Sequence, residues 1–214
     1  MYVNGHDMIL DSRDSLQLSV NGIYEPIETD IVKSIIEKNA VVLDVGAHIG
    51  YYTLLMSDLV GYGGSVFAFE PEPSNFGLLQ KNVEINACKN IVIENKAVSD
   101  YNKKSNLYLS KDNSGMHRLN KSVYCKECIA VDVITLDNYF YNNLLLDKIR
   151  FVKIDVEGSE LDVLSGMRLI LEKNHKIVII LEFIPSNLLE HGSDPVNLLR
   201  FFKDNSFKIY AIID

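Results

Sequence analysis

Short runs of β-branched and other apolar residues alternate along the chain with longer stretches in which apolar residues recur every three or four positions. The short runs predict strands, and the longer spacing predicts amphipathic helices. Predicted strands cover residues 41–45, 65–69, 91–94, 151–154, 176–182 and 207–213. Predicted helices cover about 29–38, 51–60, 74–86, 160–172 and 196–204.

Strands that alternate with helices are typical of a parallel sheet covered by helices on both faces. We therefore predict an α/β fold with a Rossmann-like, doubly wound, mainly parallel sheet. Two segments depart from this pattern. Residues 1–23 form a β-rich N-terminal segment in which Leu16, Leu18 and Val20 alternate. Residues 107–109 and 129–133 predict the arms of a β-hairpin insert with a polar tip over 111–124.

The length of 214 residues suits one domain. We predict an N-terminal segment and helix over 1–38, followed by a Rossmann-like core over 39–214 that contains the insert at about 102–135. Hydrophobic residues make up 47% and charged residues 23%, as in globular proteins with a substantial core.

Charge and cysteine content narrow the class of partner. The net charge of −8 repels phosphate backbones and the basic residues are scattered, so no nucleic-acid partner is expected. No signal peptide and no apolar run near the ~20 residues of a membrane helix are found, so no membrane association is expected. The three cysteines favour a reducing compartment, and we predict a cytoplasmic location.

Cys125 and Cys128 have zinc-like spacing, but no second pair completes a four-ligand site, so no metal is predicted.

The strongest chemical signal follows the predicted strand 41–45. It reads Asp44-Val45-Gly46-Ala47-His48-Ile49-Gly50. Gly46 allows a sharp turn and lets a ligand lie against bare backbone. Gly50 opens a helix, whose N-terminal amides and positive dipole end attract an anionic group. Because ligands of open α/β sheets bind beyond the carboxyl ends of the strands, we predict a ligand site at this turn.

Glu70 closes the next predicted strand, 24 residues after Gly46. Its two carboxylate oxygens match the two vicinal hydroxyls of a ribose, although a solvated acid at a strand end is the alternative. The spacing G-x-x-x-G differs from the G-x-G-x-x-G of dinucleotide binders, and His48 stands where the middle glycine admits a pyrophosphate. The turn therefore favours S-adenosylmethionine over NAD.

Three carboxylates follow the predicted strand 151–154, namely Asp155, Glu157 and Glu160. Carboxylates at the end of a strand can act as general bases, and crowded carboxylates raise one another's pKa values toward a useful range. Glu157 and Glu160 also fit a simpler role, since acids in the first turn of a helix complement its dipole. His117, in the polar insert, is a further candidate as base or substrate contact, or else an exposed histidine without a role.

Together these segments resemble the FkbM family of S-adenosylmethionine-dependent methyltransferases. The resemblance covers about residues 24–183 and rests on DVGAHIG, on FEPEPSNF from Phe69 and on KIDVEGSE from Lys153. It implies the class I methyltransferase fold, S-adenosylmethionine as cofactor and S-adenosylhomocysteine as product.

The resemblance also implies roles for individual residues. Asp44 and the backbone of 46–50 would hold the methionine part of the cofactor, Glu70 the ribose, and residues 95–98 would cover the adenine. Asp155 would lie near the methyl group and the acceptor. The predicted cofactor residues are Asp44, Gly46, Ala47, His48, Gly50, Tyr51, Glu70, Pro71, Ala97 and Asp155. The predicted catalytic residues are Asp155, Glu157 and His117.

The leading functional hypothesis is O-methylation of a hydroxyl on a small molecule or glycan. RNA methylation is an alternative, but Asp155-Val156-Glu157-Gly158 stands where base-methylating enzymes carry Asn/Asp-Pro-Pro-aromatic. A nucleotide- or cofactor-binding module without catalysis is the other alternative. Methyltransferases of this fold usually end with an antiparallel seventh strand, which the sequence does not show. The sheet would then have an unpaired edge, and such an edge favours a homodimer contact.

Overall fold

The computed structural model describes residues 1–110, 113–119, 125–141 and 145–212. The polar tip predicted over 111–124 lies outside the described residues except for 113–119. The strands are β1 (Tyr2–Val3), β2 (His6–Asp7), β3 (Val41–Val45), β4 (Ser65–Phe69), β5 (Ile91–Glu94), β6 (Ala97–Val98), β7 (Lys103–Ser110), β8 (Cys125–Ile134), β9 (Ile149–Ile154) and β10 (Val178–Leu181). The helices are α1 (Leu18–Asn21), α2 (Pro26–Ile35), α3 (Tyr51–Val60), α4 (Pro73–Ile85), α5 (Leu136–Phe140), α6 (Glu160–Ser165), α7 (Arg168–Lys173), α8 (Pro185–His191) and α9 (Pro195–Asp204).

Five strands form the main sheet in the order β10-β9-β3-β4-β5, and all four pairings are parallel. The central strand β3 is buried at every position. A strand buried on both faces reads as a continuous apolar run rather than an alternating one, which is why Val41-Val42-Leu43 predicted it correctly. Separate clusters of buried side chains pack around this sheet, one including Leu43 and Val152 and another including Val42 and Leu54.

A second sheet of three strands, in the order β6-β8-β7, contains the predicted hairpin insert. Strands β7 and β8 are antiparallel, as predicted, and each is longer than the arm the sequence indicated. The short strand β6 pairs in parallel with the end of β8, with Ala97 opposite Val133. The segment that follows β5 is therefore tied to the insert.

The N-terminal segment is less extended than predicted. Residues 2–7 form a hairpin of two short strands, but Leu18–Asn21 is a helical turn rather than a strand. The carboxylate of Asp14 accepts hydrogen bonds from the backbone N–H groups of Leu18 and Ser19, both at 2.9 Å. This local capping stabilises the turn and overrides the alternating pattern.

The helix predicted over 160–172 is two helices, α6 and α7, which are separated at Gly166 and Met167. A side chain at Gly166 would begin 2.1 Å from the carbonyl oxygen of Ser99. The chain thus passes too close to the β6 region for any other residue at that position, and the helix breaks at this contact.

The last predicted strand, 207–213, is wrong over the described residues 207–212, which form no strand. The backbone N–H of Phe207 instead bonds to the carbonyl of Phe202 at 2.9 Å, and their rings lie 5.4 Å apart. Helix α8 was not predicted. None of the helices in the described part of the chain is long and apolar enough to cross a bilayer.

Candidate active site

A cavity opens at the carboxyl ends of β3, β4 and β9, where the sequence predicts the ligand site. Nine predicted cofactor residues line it: Asp44, Gly46, Ala47, His48, Tyr51, Glu70, Pro71, Ala97 and Asp155. The predicted catalytic residues Glu157 and His117 line the same cavity as Asp155. Gly50 does not line it. The fold therefore brings together residues that are up to 113 positions apart, from Asp44 to Glu157.

Gly46 has a φ of +85° and makes the turn out of β3. The backbone N–H groups of Gly46 and Ala47 both bond to the carbonyl of Phe69 at 3.0 Å. A Cβ at position 46 would lie 1.8 Å from the carbonyl oxygen of Asp155. This position requires glycine for its φ and because it packs against the end of β9, and since Gly46 also lines the cavity, the contact of a ligand with its backbone stays a prediction.

Gly50 has a φ of +93° and is the N-cap of α3. A Cβ there would lie 2.6 Å from Cδ1 of Leu79, so this glycine allows α3 to pack on α4. Gly50 lies outside the lining of the cavity, and its predicted contact with the cofactor stays a prediction.

His48 adopts a left-handed φ of +50° between these two glycines. Its Nε2 lies 2.9 Å from the hydroxyl of Ser114, and its buried Nδ1 has no hydrogen-bond partner among the described residues. Burial lowers the pKa of His48 to about 4, so the ring is neutral at neutral pH. His48 thus belongs to the wall of the cavity, while its Nδ1 is enclosed by the protein.

Glu70 is 5% exposed and holds the glycine turn by its side chain. Its Oε2 accepts the backbone N–H of His48 at 2.8 Å, and its Oε1 accepts that of Glu72 at 2.9 Å. Burial raises the pKa of Glu70 to about 7, against the lowering effect of these two bonds. Each carboxylate oxygen still has acceptor capacity, which matches two ribose hydroxyls.

Asp44 and three tyrosines form the wall nearest α3. The carboxylate of Asp44 is 1% exposed and accepts a hydrogen bond from the Thr53 hydroxyl at 2.5 Å. Burial raises its pKa, against the lowering effect of Lys153. Tyr24, Tyr51 and Tyr52 pack edge to face, with ring centroids 5.2–6.2 Å apart. Tyr51 and Tyr52 are core residues, as their helical spacing predicts.

Lys153 is a site residue that the sequence analysis did not single out. It is 6% exposed within β9, and its ammonium lies 2.8 Å from Oδ2 of Asp155 and 4.6 Å from the ring centroid of Tyr52. Burial lowers its pKa, but Asp155, Asp44 and Glu25 outweigh that effect, and the net shift is upward. The lysine therefore stays charged. The sequence contained an indication of this role, because a lysine within an apolar strand needs a buried partner for its charge.

Three carboxylates converge at the other side of the cavity. Oxygens of Asp155, Glu157 and Glu182 lie within 4.8 Å of one another. Glu157 has a left-handed φ of +54°, and its Oε2 accepts a hydrogen bond from Asn187 at 2.8 Å. Burial and then the charge of Asp155 raise its pKa to about 7. Glu182 follows β10 and was not predicted as a site residue.

Glu160 fits the simpler of its two interpretations. It is 2% exposed and its Oε1 accepts the backbone N–H of Gly158 at 3.0 Å. Burial raises its pKa. The carboxylate thus stabilises the start of α6 rather than pointing to an acceptor.

The described part of the insert lies across the cavity. The hydroxyl of Ser114 is 2.5 Å from that of Ser15, and its carbonyl accepts a hydrogen bond from Asn75 at 2.9 Å. His117 accepts the backbone N–H of Ser110 on Nδ1 at 3.0 Å, and burial lowers its pKa. The neutral ring therefore carries its proton on Nε2, where it is a donor.

Arg118 connects the insert to α8 and to the carboxylates. Its side chain is 8% exposed and bonds to Glu190 at 2.6 Å and Asn187 at 2.9 Å. It also lies 3.5 Å from Glu157. No local pattern in the sequence indicates this contact, because its partners are 39 to 72 residues away.

These groups fit S-adenosylmethionine. The carboxylate of Glu70 has acceptor capacity that would suit the ribose hydroxyls, and Asp155 lines the same cavity with a carboxylate that would suit a sulfonium. Among the described residues, five carboxylates line the cavity against two ammonium groups, those of Lys96 and Lys153, and this balance disfavours a pyrophosphate.

Comparisons with known proteins agree with this geometry. Residues 44–209 match the sequence model of the family described as the methyltransferase FkbM domain. Methyltransferase 1 of Beauveria bassiana (strain ARSEF 2860) is 25% identical over 181 residues, which cover 75% of this chain and 72% of that protein.

Two solved structures are also similar. Precorrin-6y C5,15-methyltransferase from Geobacter metallireducens GS-15 is 13% identical and covers 96% of this chain and 80% of its own, with a TM-score of 0.53. The methyltransferase FkbM from Methylobacillus flagellatus KT is 18% identical, with a TM-score of 0.47 over 83% of this chain. This chain spans 43% of the length of the Methylobacillus chain. The first of these structures confirms the predicted class I fold.

Proposed function

The chain belongs to the FkbM methyltransferase family, and we propose that it methylates a hydroxyl oxygen of a small molecule or a glycan. It is a methyltransferase whose methyl donor is S-adenosylmethionine, and S-adenosylhomocysteine is the other product. The donor supplies an electrophilic methyl group on a positively charged sulfur. The acceptor class is the part that we propose.

The observation that carries the proposal is the convergence of Asp155, Glu157 and Glu182 on one side of β3, with Glu70 on the other. If Glu70 holds the ribose, the sulfur end of the donor faces the three carboxylates. Carboxylates accept hydrogen bonds from hydroxyls and take up their protons, so they suit a neutral, hydroxyl-bearing acceptor. They would repel the phosphates of RNA or of a nucleotide-linked acceptor.

The protein's own contribution is positioning and exclusion of water. Ser114 and Arg118 hold the insert over the cavity, and the tyrosine cluster closes it from the side of α3. An acceptor held in line with the methyl group reacts without first losing its translational freedom, which accounts for much of the rate in such transfers. Asp155 and Glu157 would orient the acceptor hydroxyl, and the Nε2–H of His117 would donate to a second acceptor oxygen.

A product analysis tests the acceptor class. Purified protein is incubated with methyl-tritiated S-adenosylmethionine and separate pools of sugars, phenols, aliphatic polyols, amines and RNA. We expect the label to be transferred to a sugar, phenol or polyol. The labelled product should be an ether, which survives mild alkali. Transfer into amines or RNA alone would contradict the proposal. Binding of S-adenosylhomocysteine without transfer to any pool would favour the binding module instead.

A further inference from the structure

We propose that Glu182 is the catalytic base, which removes the proton from the acceptor hydroxyl. The proposal rests on the O-methylation proposed above. It differs from what the sequence indicates, because the motif around Asp155 and Glu157 draws attention to those two carboxylates and leaves Glu182 unmarked.

The other carboxylates of the cavity are already engaged by the protein. Asp44 accepts from Thr53, and Glu70 from two backbone amides. Asp155 accepts from the Lys153 ammonium, and Glu157 from Asn187, with Arg118 beside it. Within the described ranges, the carboxylate of Glu182 accepts no hydrogen bond from any group. In the same ranges, Asp155 and Glu157 each accept on one oxygen, whereas both oxygens of Glu182 are without such a bond, so this carboxylate can take up a proton without losing a hydrogen bond to the protein.

The backbone places Glu182 beside the predicted methyl position. Its N–H bonds to the carbonyl of Ile154 at 3.1 Å, which continues the β10–β9 pairing to the end of both strands. The side chain lines the cavity, with an oxygen within 4.8 Å of oxygens of Asp155 and Glu157. Glu182 thus reaches the same place as the motif carboxylates from the neighbouring strand.

The surrounding charges suit a base that works near neutral pH. Burial raises the pKa of Glu182 above its usual value, and three nearby carboxylates raise it further, against the lowering effect of one ammonium. A carboxylate with a raised pKa binds a proton more strongly, and its ionised form, which is the active form of a base, becomes more populated as the pH rises through about 8. Asp155 and Glu157 lie beside it, and the charges of Glu160, Lys153 and Tyr24 also interact with it.

The reaction balances with this assignment. The acceptor oxygen forms a bond to the methyl carbon as the bond between that carbon and sulfur breaks, and the sulfur keeps the electron pair. The hydroxyl proton passes to an oxygen of Glu182. The products are the methyl ether, neutral S-adenosylhomocysteine and protonated Glu182, which releases its proton to water before the next turnover.

The test compares three isosteric variants, Glu182→Gln, Glu157→Gln and Asp155→Asn, with Glu172→Gln as a control on the exposed side of α7. For each variant, single-turnover rates are measured from pH 5 to 9 with the acceptor pool that received the methyl label in the product analysis. For Glu182→Gln we expect a loss of about 10²–10⁴-fold and disappearance of the acidic limb of the pH profile. Affinity for S-adenosylhomocysteine, measured by calorimetry, should change little. Glu172→Gln should behave as the wild type.

A second readout does not depend on turnover. In protein with ¹³C-labelled glutamate δ-carbons and bound S-adenosylhomocysteine, one resonance that titrates well above the usual glutamate range should be absent from Glu182→Gln. It should persist in Glu157→Gln and Glu172→Gln. A Glu182 resonance with an ordinary titration midpoint would overturn the proposal, because the carboxylate would then be a weak base at neutral pH.

Other outcomes separate this proposal from the function on which it rests. An ether product with an unaffected rate in Glu182→Gln would overturn only the assignment of the base. An amine or RNA product would overturn both. If chelators abolish the transfer and Mg²⁺ restores it, the three carboxylates bind a cation and Glu182 is not the base.

Discussion

The two halves of the cavity are built in different ways. On the side of β3 and β4, the turn at residues 46–50 and Glu70 are joined by contacts to backbone groups, and Glu70 reaches His48 across only 22 residues. On the side of β9 and β10, side chains meet side chains, and Arg118 reaches Glu190 across 72 residues. The first half is specified by a local motif, while the second depends on how distant segments pack.

This difference explains why the family resemblance implied roles for individual residues mainly on the side of β3 and β4. Backbone contacts to a cofactor require a particular chain path, and that path requires particular residues such as Gly46. Contacts to an acceptor use side chains that can come from any neighbouring element. We expect substitutions on the side of β3 and β4 to affect cofactor binding, and substitutions on the side of β9 and β10 to affect stability and methyl transfer.

Gly46→Val should abolish cofactor binding and lower the free energy of unfolding by at least about 3 kcal/mol. The new side chain would start 1.8 Å from the carbonyl oxygen of Asp155, so β3 and β9 would have to separate. Calorimetric titration and urea unfolding measure the two effects. Gly77→Ala is the control, because nothing lies within 4 Å of a Cβ there. A stable Gly46→Val protein that binds S-adenosylmethionine normally would contradict the close contact between the two strands.

Lys153→Met should lower the free energy of unfolding by about 3 kcal/mol, because it leaves Asp155 without its cation in a largely buried place. The Asp155 side chain is 22% exposed, which limits the loss. Lys104→Met, which removes an ion pair between side chains 78% and 57% exposed, is the matched control and should change stability little. Equal losses in the two variants would mean that Lys153 is not an essential partner of the acidic side.

Glu70→Ala should weaken S-adenosylmethionine binding by about 1.5–3 kcal/mol, the usual contribution of hydrogen bonds to a charged group. The two backbone amides of His48 and Glu72 also lose their acceptor, so the turn should become less stable. Titration calorimetry measures the affinity, and Glu84→Ala, on the exposed face of α4, is the control. Unchanged affinity would remove Glu70 from the ribose site.

The stability of the ligand-free protein should fall as the pH rises from about 4.5 toward 7. The pKa of Glu70 is raised to about 7, so in this window the folded state holds a proton that the unfolded state has released. The loss that Glu70 contributes should be about 3 kcal/mol, since each pKa unit corresponds to ~1.4 kcal/mol, and it should be complete only above about pH 8. Urea unfolding at pH 5.5 and 8 measures it. In Glu70→Gln the dependence should be weaker, and an identical pH dependence would show that other groups cause it.

The sequence by itself determined the framework of the sheet and the cofactor turn. Strands 41–45, 65–69 and 91–94 and the helix 51–60 agree with the structure residue for residue. Buried parallel strands are continuous apolar runs bounded by turn residues, so local pattern is sufficient to find them. The predicted strand 207–213 had a comparable pattern and was wrong, because Phe207 packs on α9 while Ile209, Tyr210 and Ile212 are exposed, so the apolar pattern did not correspond to a buried strand.

Only the tertiary structure decided which groups meet. Lys153 and Glu182 follow ordinary strand patterns, and their importance arises from neighbours on adjacent strands. Gly46 combines both kinds of requirement, since its φ of +85° belongs to the local turn while the 1.8 Å approach of a Cβ to the carbonyl oxygen of Asp155 comes from the neighbouring strand. Local pattern reports how each residue relates to water and to its own helix or strand. Partner choice depends on strand order and register, which are set by the packing of the whole chain.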